Sequence, residues 1–131
     1  MYRLVVGLTA GFFLLSGQAF AFDLSGAWTS DRELCDHVFS KKGTDVSFAE
    51  LSDLYGSGFI VNGDAIQGKM AKCSIKSRKQ DGDITTLVAS CATSIMTGNY
   101  EFSYKVLDDN TLVRLFPDIK NMTVQYARCP F

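Results

Sequence analysis

Two cysteines, Cys73 and Cys91, stand almost evenly on either side of Asp81-Gly82 in the stretch KCSIKSRKQDGDITTLVASC, residues 72–91. Before the turn, Ala71, Cys73, Ile75 and Ser77 fall on one face, and Lys72, Ser74, Lys76 and Arg78 on the other. After it, Thr85, Leu87, Ala89 and Cys91 share a face. Alternation of period two around Asp-Gly predicts a β-hairpin. Opposed residues in a hairpin have numbers of constant sum. Cys73 and Cys91 satisfy that sum for a three-residue loop over 81–83, and miss it by one for a two-residue loop. They therefore face each other within one bulge residue. That predicts a Cys73–Cys91 disulfide and leaves Cys35 to pair with Cys129, since the chain has four cysteines. In the loop-entropy treatment, closing loops of ~19 and ~95 residues stabilises by roughly 3 and 4.6 kcal/mol. Both are large beside the net stability of a small domain.

Other uses of these cysteines have less support. No C-x-x-C is present, and the single histidine, His37, has no cluster of partners. The sequence gives no reason to expect a metal or a cofactor.

Disulfides belong to oxidising compartments, and the N-terminus agrees. MYRLVVGLTAGFFLLSGQAFA carries Arg3, an apolar run from Leu4 to Leu15, and Ala19-Phe20-Ala21 at its end. This pattern predicts a secretory signal peptide over 1–21, a single mature domain over 22–131, and a periplasmic or secreted location. The apolar run is short for a membrane span, and no later segment is long enough for one. Without Arg3 the remaining chain holds 12 basic and 14 acidic residues. That balance argues against nucleic acid as the partner.

Ser30 and Glu33 have capping-box spacing, which predicts a short helix over 31–39 carrying Cys35. Ser47 and Glu50 repeat the spacing, where helix and irregular strand are both open. Lys41-Lys42-Gly43, Asn62-Gly63, 97–99 and 108–110 read as turns. Between and beyond them run short strands: 59–61, 65–66, 70–78, 84–91, 100–107, 111–116 and 122–129. The expected fold is mainly β: a small antiparallel up-and-down barrel with a short N-terminal helix and two disulfides, or alternatively a β-sandwich.

Gly26-Ala27-Trp28 near the start of the domain resembles the G-x-W motif of lipocalins. The resemblance implies a barrel in which Trp28 packs at a closed end and a late arginine stacks on it, Arg128 first and Arg114 second. The chain also resembles small periplasmic inhibitors of bacterial metalloproteases, which share size and G-x-W. Its Lys41-Lys42-Gly43, DLYGSGFIV (53–61) and IKSRKQDGD (75–83) stretches resemble small secreted lipocalin-like proteins of alphaproteobacteria without an assigned activity.

A three-residue turn at 108–110 would pair Val106 with Leu112, Tyr104 with Arg114 and Phe102 with Phe116, with Tyr100 beyond. This aromatic face should point inward, and it contains a cation. Arg114 and Tyr104 would then grip an anionic head while the aromatics hold an apolar body. The alternative is that Arg114 stacks on Trp28 or Tyr104 or pairs with a core acid. Lys72, Lys76 and Arg78 form one basic face, available to an anionic surface or simply solvated.

No catalytic constellation is recognisable. His37 has no motif-placed nucleophile, and Asp81, Asp83, Asp108 and Asp109 are turn residues. The sequence therefore predicts a non-enzymatic binding protein. Its partner would be a protein of the cell envelope, such as a hydrolase it inhibits, or a small anionic apolar ligand.

Overall fold

The structure, a computed structural model, describes Gly11 and residues 22–131. The predicted signal peptide over 1–21 lies outside the described residues. The elements are β1 (Gly26–Thr29), a 3-10 turn (Arg32–Leu34), α1 (Cys35–Val38), β2 (Phe39–Lys42), β3 (Asp45–Phe48), a second 3-10 turn (Ser52–Leu54), β4 (Gly58–Asn62), β5 (Ala65–Gln67), β6 (Lys72–Asp81), β7 (Ile84–Ala92), β8 (Thr97–Asp108), β9 (Thr111–Leu115) and β10 (Thr123–Arg128).

Eight strands close an antiparallel up-and-down barrel in the order β1-β10-β9-β8-β7-β6-β5-β4, while β2 and β3 form a separate hairpin. The barrel is the architecture that leaves no edge strand unpaired, and the sandwich alternative is not what forms. Alternation fills the interior: Trp28, Val61, Ile75, Leu87, Tyr104, Leu112 and Tyr126 point inward and pack with Leu24 of the N-terminal segment. The opposite face of β1, β4 and β10 is also buried. Ala27, Ile60 and Cys129 pack beneath Cys35, Val38, Phe39 and Phe48 of the β1–β4 connection, giving a second core outside the barrel.

Gly58 stands where the two cores meet. A Cβ there would lie 2.5 Å from the Trp28 carbonyl and 2.9 Å from the Phe39 ring, so only glycine fits without movement.

Both predicted disulfides form. Cys73 opposes Cys91 directly in the β6–β7 ladder, and Cys35 of α1 is joined to Cys129 just after β10. The ladder has a bulge at Lys76, between Ile75 and Ser77. The hairpin turn is Gly82-Asp83, one residue later than Asp81-Gly82, with Gly82 in the left-handed region at φ +62°. The bulge corrects the expected basic face. Beyond it Arg78 pairs with Leu87 and takes the inward side, while Ser77 pairs with Val88 and faces out. Lys72, Lys76 and Arg78 therefore do not share one face.

Other local expectations shift for identifiable reasons. Asp31, not Ser30, caps the first turn by accepting from the Glu33 amide, and the helical segment stops at Val38 because Phe39 starts a strand. Ser47 lies in β3, so its capping-box spacing is not used. Lys41 and Lys42 belong to β2, and the turn follows them. The β4–β5 turn is Gly63-Asp64, since Asn62 pairs with Ala65. Residues 97–99 lie in β8; the turn comes earlier, where the Thr93 amide donates to the Met96 carbonyl.

Up-and-down connectivity sorts the connections between two ends. One end holds the N-terminal segment and the tight turns 63–64, 82–83 and 109–110. The other holds the loops 49–57, 68–71, 93–96 and 116–122.

Candidate functional site

The first end is closed by Arg128. Its guanidinium lies 4.4 Å from the Trp28 ring and 5.6 Å from that of Phe22. It donates to the carbonyls of Asp109 at 3.1 Å, Asp23 at 2.9 Å and Ser25. The Trp28 indole N–H donates to the Leu24 carbonyl at 2.8 Å. Gly26, with the guanidinium against it, lets the chain pass this cluster. The result folds residues 22–25 across the end of the barrel and drives Leu24 into its core.

The second end is open. A cavity of about 310 Å³ enters there, at the lower end of the range of ligand sites, roughly 300–1,000 Å³. Its wall is apolar, with Phe59, Ile66, Leu87, Leu112 and Tyr126 as its main surfaces. Cys73 also lines it, so one disulfide forms part of the wall. Among the described residues, the one charged lining residue is Arg114.

Arg114 is placed by the β8–β9 hairpin. The register expected from sequence is formed: Val106 pairs with Leu112 and Tyr104 with Arg114, with a bulge at Leu107 absorbed before Asp108 pairs with Thr111. β9 ends at Leu115, so Phe116 does not join the ladder opposite Phe102. Both rings nevertheless meet Arg114: its guanidinium carbon is 4.9 Å from the Phe102 centroid and 4.6 Å from that of Phe116. The cation is thus held between two aromatic faces at the mouth. Among the described residues it has no carboxylate partner and makes no hydrogen bond. Stacking of this kind contributes about 0.5–1 kcal/mol per ring, and it leaves the N–H donors free for an anion.

Tyr104 and Phe102 line the cavity with Arg114; Tyr100 does not, and lies exposed at the rim against Gly98. Tyr104 is buried, which raises its phenol pKa, although Thr85 and the charge of Arg78 act in the opposite direction. Tyr104 and Leu24 also line a polar recess of about 810 Å³ at the other end, so they form the partition between the two spaces. In that recess Arg78 is paired with Asp64 at 3.0 Å.

Sequence patterning identified the Phe102/Tyr104/Arg114 face but not the facing wall. Phe59 and Ile66 come from strands of five and three residues, too short for alternation to be decisive. His37 stacks on Tyr55 at 4.6 Å and is not part of the cavity. Among the described residues, no group of three or more His, Cys, Asp or Glu is placed to hold a metal ion. Compared with protein-family models, with curated proteins and with solved structures, the chain matches none.

Proposed function

We propose that this is an exported binding protein, not an enzyme, whose barrel holds a small amphipathic anion: an apolar tail in the cavity and a carboxylate or similar head on Arg114. The observation that carries this reading is the guanidinium clamped between Phe102 and Phe116 at the mouth of a largely apolar cavity, with its donors unused among the described residues. A half-buried cation in such a setting gains most from an anion that brings its own apolar body. Two disulfides fit a periplasmic or secreted site of action. Binding to an envelope protein, including inhibition of a hydrolase, is the competing reading, and no residue speaks for it as specifically as Arg114 speaks for an anion.

Isothermal titration with decanoate and with 1-decanol tests the proposal. Wild-type protein should bind both, decanoate more tightly. Arg114→Gln should weaken decanoate by about tenfold or more, the loss of one charge-assisted contact, and change decanol less than about twofold. Equal affinity for decanoate in both proteins would remove Arg114 from the site.

A further inference from the structure

The four loops around the open mouth differ from the turns at the other end. Of the twelve large apolar side chains exposed among the described residues, eight lie on these four loops. Every loop contributes at least one: Leu54 is 72% exposed, Met70 76%, Ile95 87% and Ile119 53%. They are spread over separate loops at one end of the barrel, the end at which Ser57, Gly68 and Ala71 line the cavity. Two of the loops are tied together. The Lys69 ammonium donates to the Ser52 hydroxyl at 2.8 Å and meets the Asp53 carboxylate at 3.3 Å and the Ala49 carbonyl at 3.4 Å.

Charge is distributed in the opposite sense. Each connection at the closed end carries an aspartate and no Lys or Arg: Asp23, Asp64, Asp83 and Asp109. Arg78 and Lys105 pair with Asp64 and Asp83; with Lys79 and Arg128 also at this end and Asp81 and Asp108 flanking the turns, six acids stand against four bases there. The mouth loops hold acids and bases in near balance, Glu50, Asp53 and Asp118 against Lys69 and Lys120, with Arg114 just inside.

We propose that the mouth docks on a lipid surface, with the loop-tip side chains inserted among the acyl chains and the acidic end turned to water. An anionic bilayer repels the closed end and so presents the mouth to the surface. Full burial of one Leu, Ile or Met favours insertion by about tenfold or more, so partial insertion of four tips suffices for reversible binding. The docking stands on the distribution of apolar and charged residues alone. Only its purpose, passing a single-chain anionic amphiphile between the bilayer and the cavity without exposing its tail to water, rests on the carrier reading.

Two variants that each add one tryptophan test it, because the native Trp28 is fully buried and gives a constant background. Ile95→Trp places the probe on a mouth loop and Leu107→Trp on the outer surface toward the acidic end. With vesicles of phosphatidylcholine and phosphatidylglycerol bearing brominated tails, Ile95→Trp should shift to the blue and be quenched, and Leu107→Trp should do neither. The triple variant Leu54→Ser/Met70→Ser/Ile95→Ser should lose about tenfold or more in co-flotation with the same vesicles, while its thermal unfolding stays that of a folded barrel.

An unchanged Ile95→Trp spectrum overturns the proposal, as does equal quenching of both probes, which would mean unoriented adsorption. A blue shift without lipid, accompanied by a doubled mass, would assign the crown to a second copy of the chain and also overturn it. Decanoate titration of the same samples reads the carrier function separately, so either idea can fail alone.

Discussion

Replacing Arg128 by methionine keeps much of the stem that covers Trp28 and deletes the fork that binds three carbonyls. The loss can be worked from the contacts. A hydrogen bond from a charged donor contributes about 1.5–3 kcal/mol when buried. Here the bond to Ser25 is half-buried and those to Asp23 and Asp109 are exposed. About 1–1.5 kcal/mol for the first and about 0.5 kcal/mol for each of the others is appropriate. Stacking on Trp28 adds about 0.5–1 kcal/mol. Arg128→Met should therefore cost about 2.5–3.5 kcal/mol. Arg128→Lys should recover less than half, because one ammonium cannot span three acceptors set around a planar fork. Urea unfolding at neutral pH, followed through Trp28, measures both variants, and the midpoint should fall without a change in slope. Hydrogen exchange should show the first effect near residues 22–25, which the guanidinium holds across the barrel end. A cost below about 0.5 kcal/mol for Arg128→Met, or equal stability of Arg128→Lys and wild type, would refute the clamp.

Three further outcomes are expected. Gly58→Ala should destabilise by about 1–2 kcal/mol in the same urea assay, overpacking against the Trp28 carbonyl and Phe39 being partly offset by a stiffer unfolded chain; neutrality would mean that β1 and the outer layer yield freely. Replacing Cys73 and Cys91 by alanine should cost about 3 kcal/mol, and replacing Cys35 and Cys129 up to about 4.6 kcal/mol, and denatured wild-type protein should show no free thiol by Ellman titration. Stability should decline as pH rises above about 10, the ordinary tyrosine value, because burial raises the Tyr104 pKa and the unfolded chain loses that proton first. Urea midpoints at pH 9, 10 and 11 should show a shallower decline in Tyr104→Phe, and identical slopes would discount Tyr104 as the cause.

The parts of the structure legible in the sequence are those fixed by local chemistry and long alternation. β6, β7 and β8 are nine to twelve residues long, enough for period two to declare itself; the β6–β7 register carries the Cys73–Cys91 pairing, and the turn after β8 sets the Tyr104–Arg114 pairing with the five-residue β9. The bulge at Lys76 was less visible. Inserting one residue reverses the faces beyond it, and nothing in SIKSRK marks which residue is extra; the ladder places it at Lys76, so that Arg78 comes to lie opposite Leu87. The 30–57 connection was least legible. Its strands have four residues each, and its capping signals compete with tertiary packing: Phe39 leaves the helix to reach the outer core, and Ser47 pairs with Ser40 instead of capping. The mouth of the cavity depends on this connection, and on Ser57 and Gly58 at its end, which is why its outline could not be drawn from patterning alone.

The seam between β1 and β10 is the shortest in the barrel, with only Trp28–Arg128 and Thr29–Ala127 paired. It joins residues about a hundred positions apart, whereas every other seam but β1–β4 joins near neighbours along the chain. Loop-closure entropy makes such a contact slow to form and unrewarding until the rest of the meander is in place. The ladder from β4 to β10 can therefore assemble by successive hairpins, with the strip carrying Trp28 docking onto an already curved sheet. The Cys35–Cys129 bond spans the same gap, and it would make that late encounter permanent. Refolding with this bond reduced should show a faster reopening of the seam than of any hairpin, so the oxidised chain exchanges its slowest folding event for a one-time step.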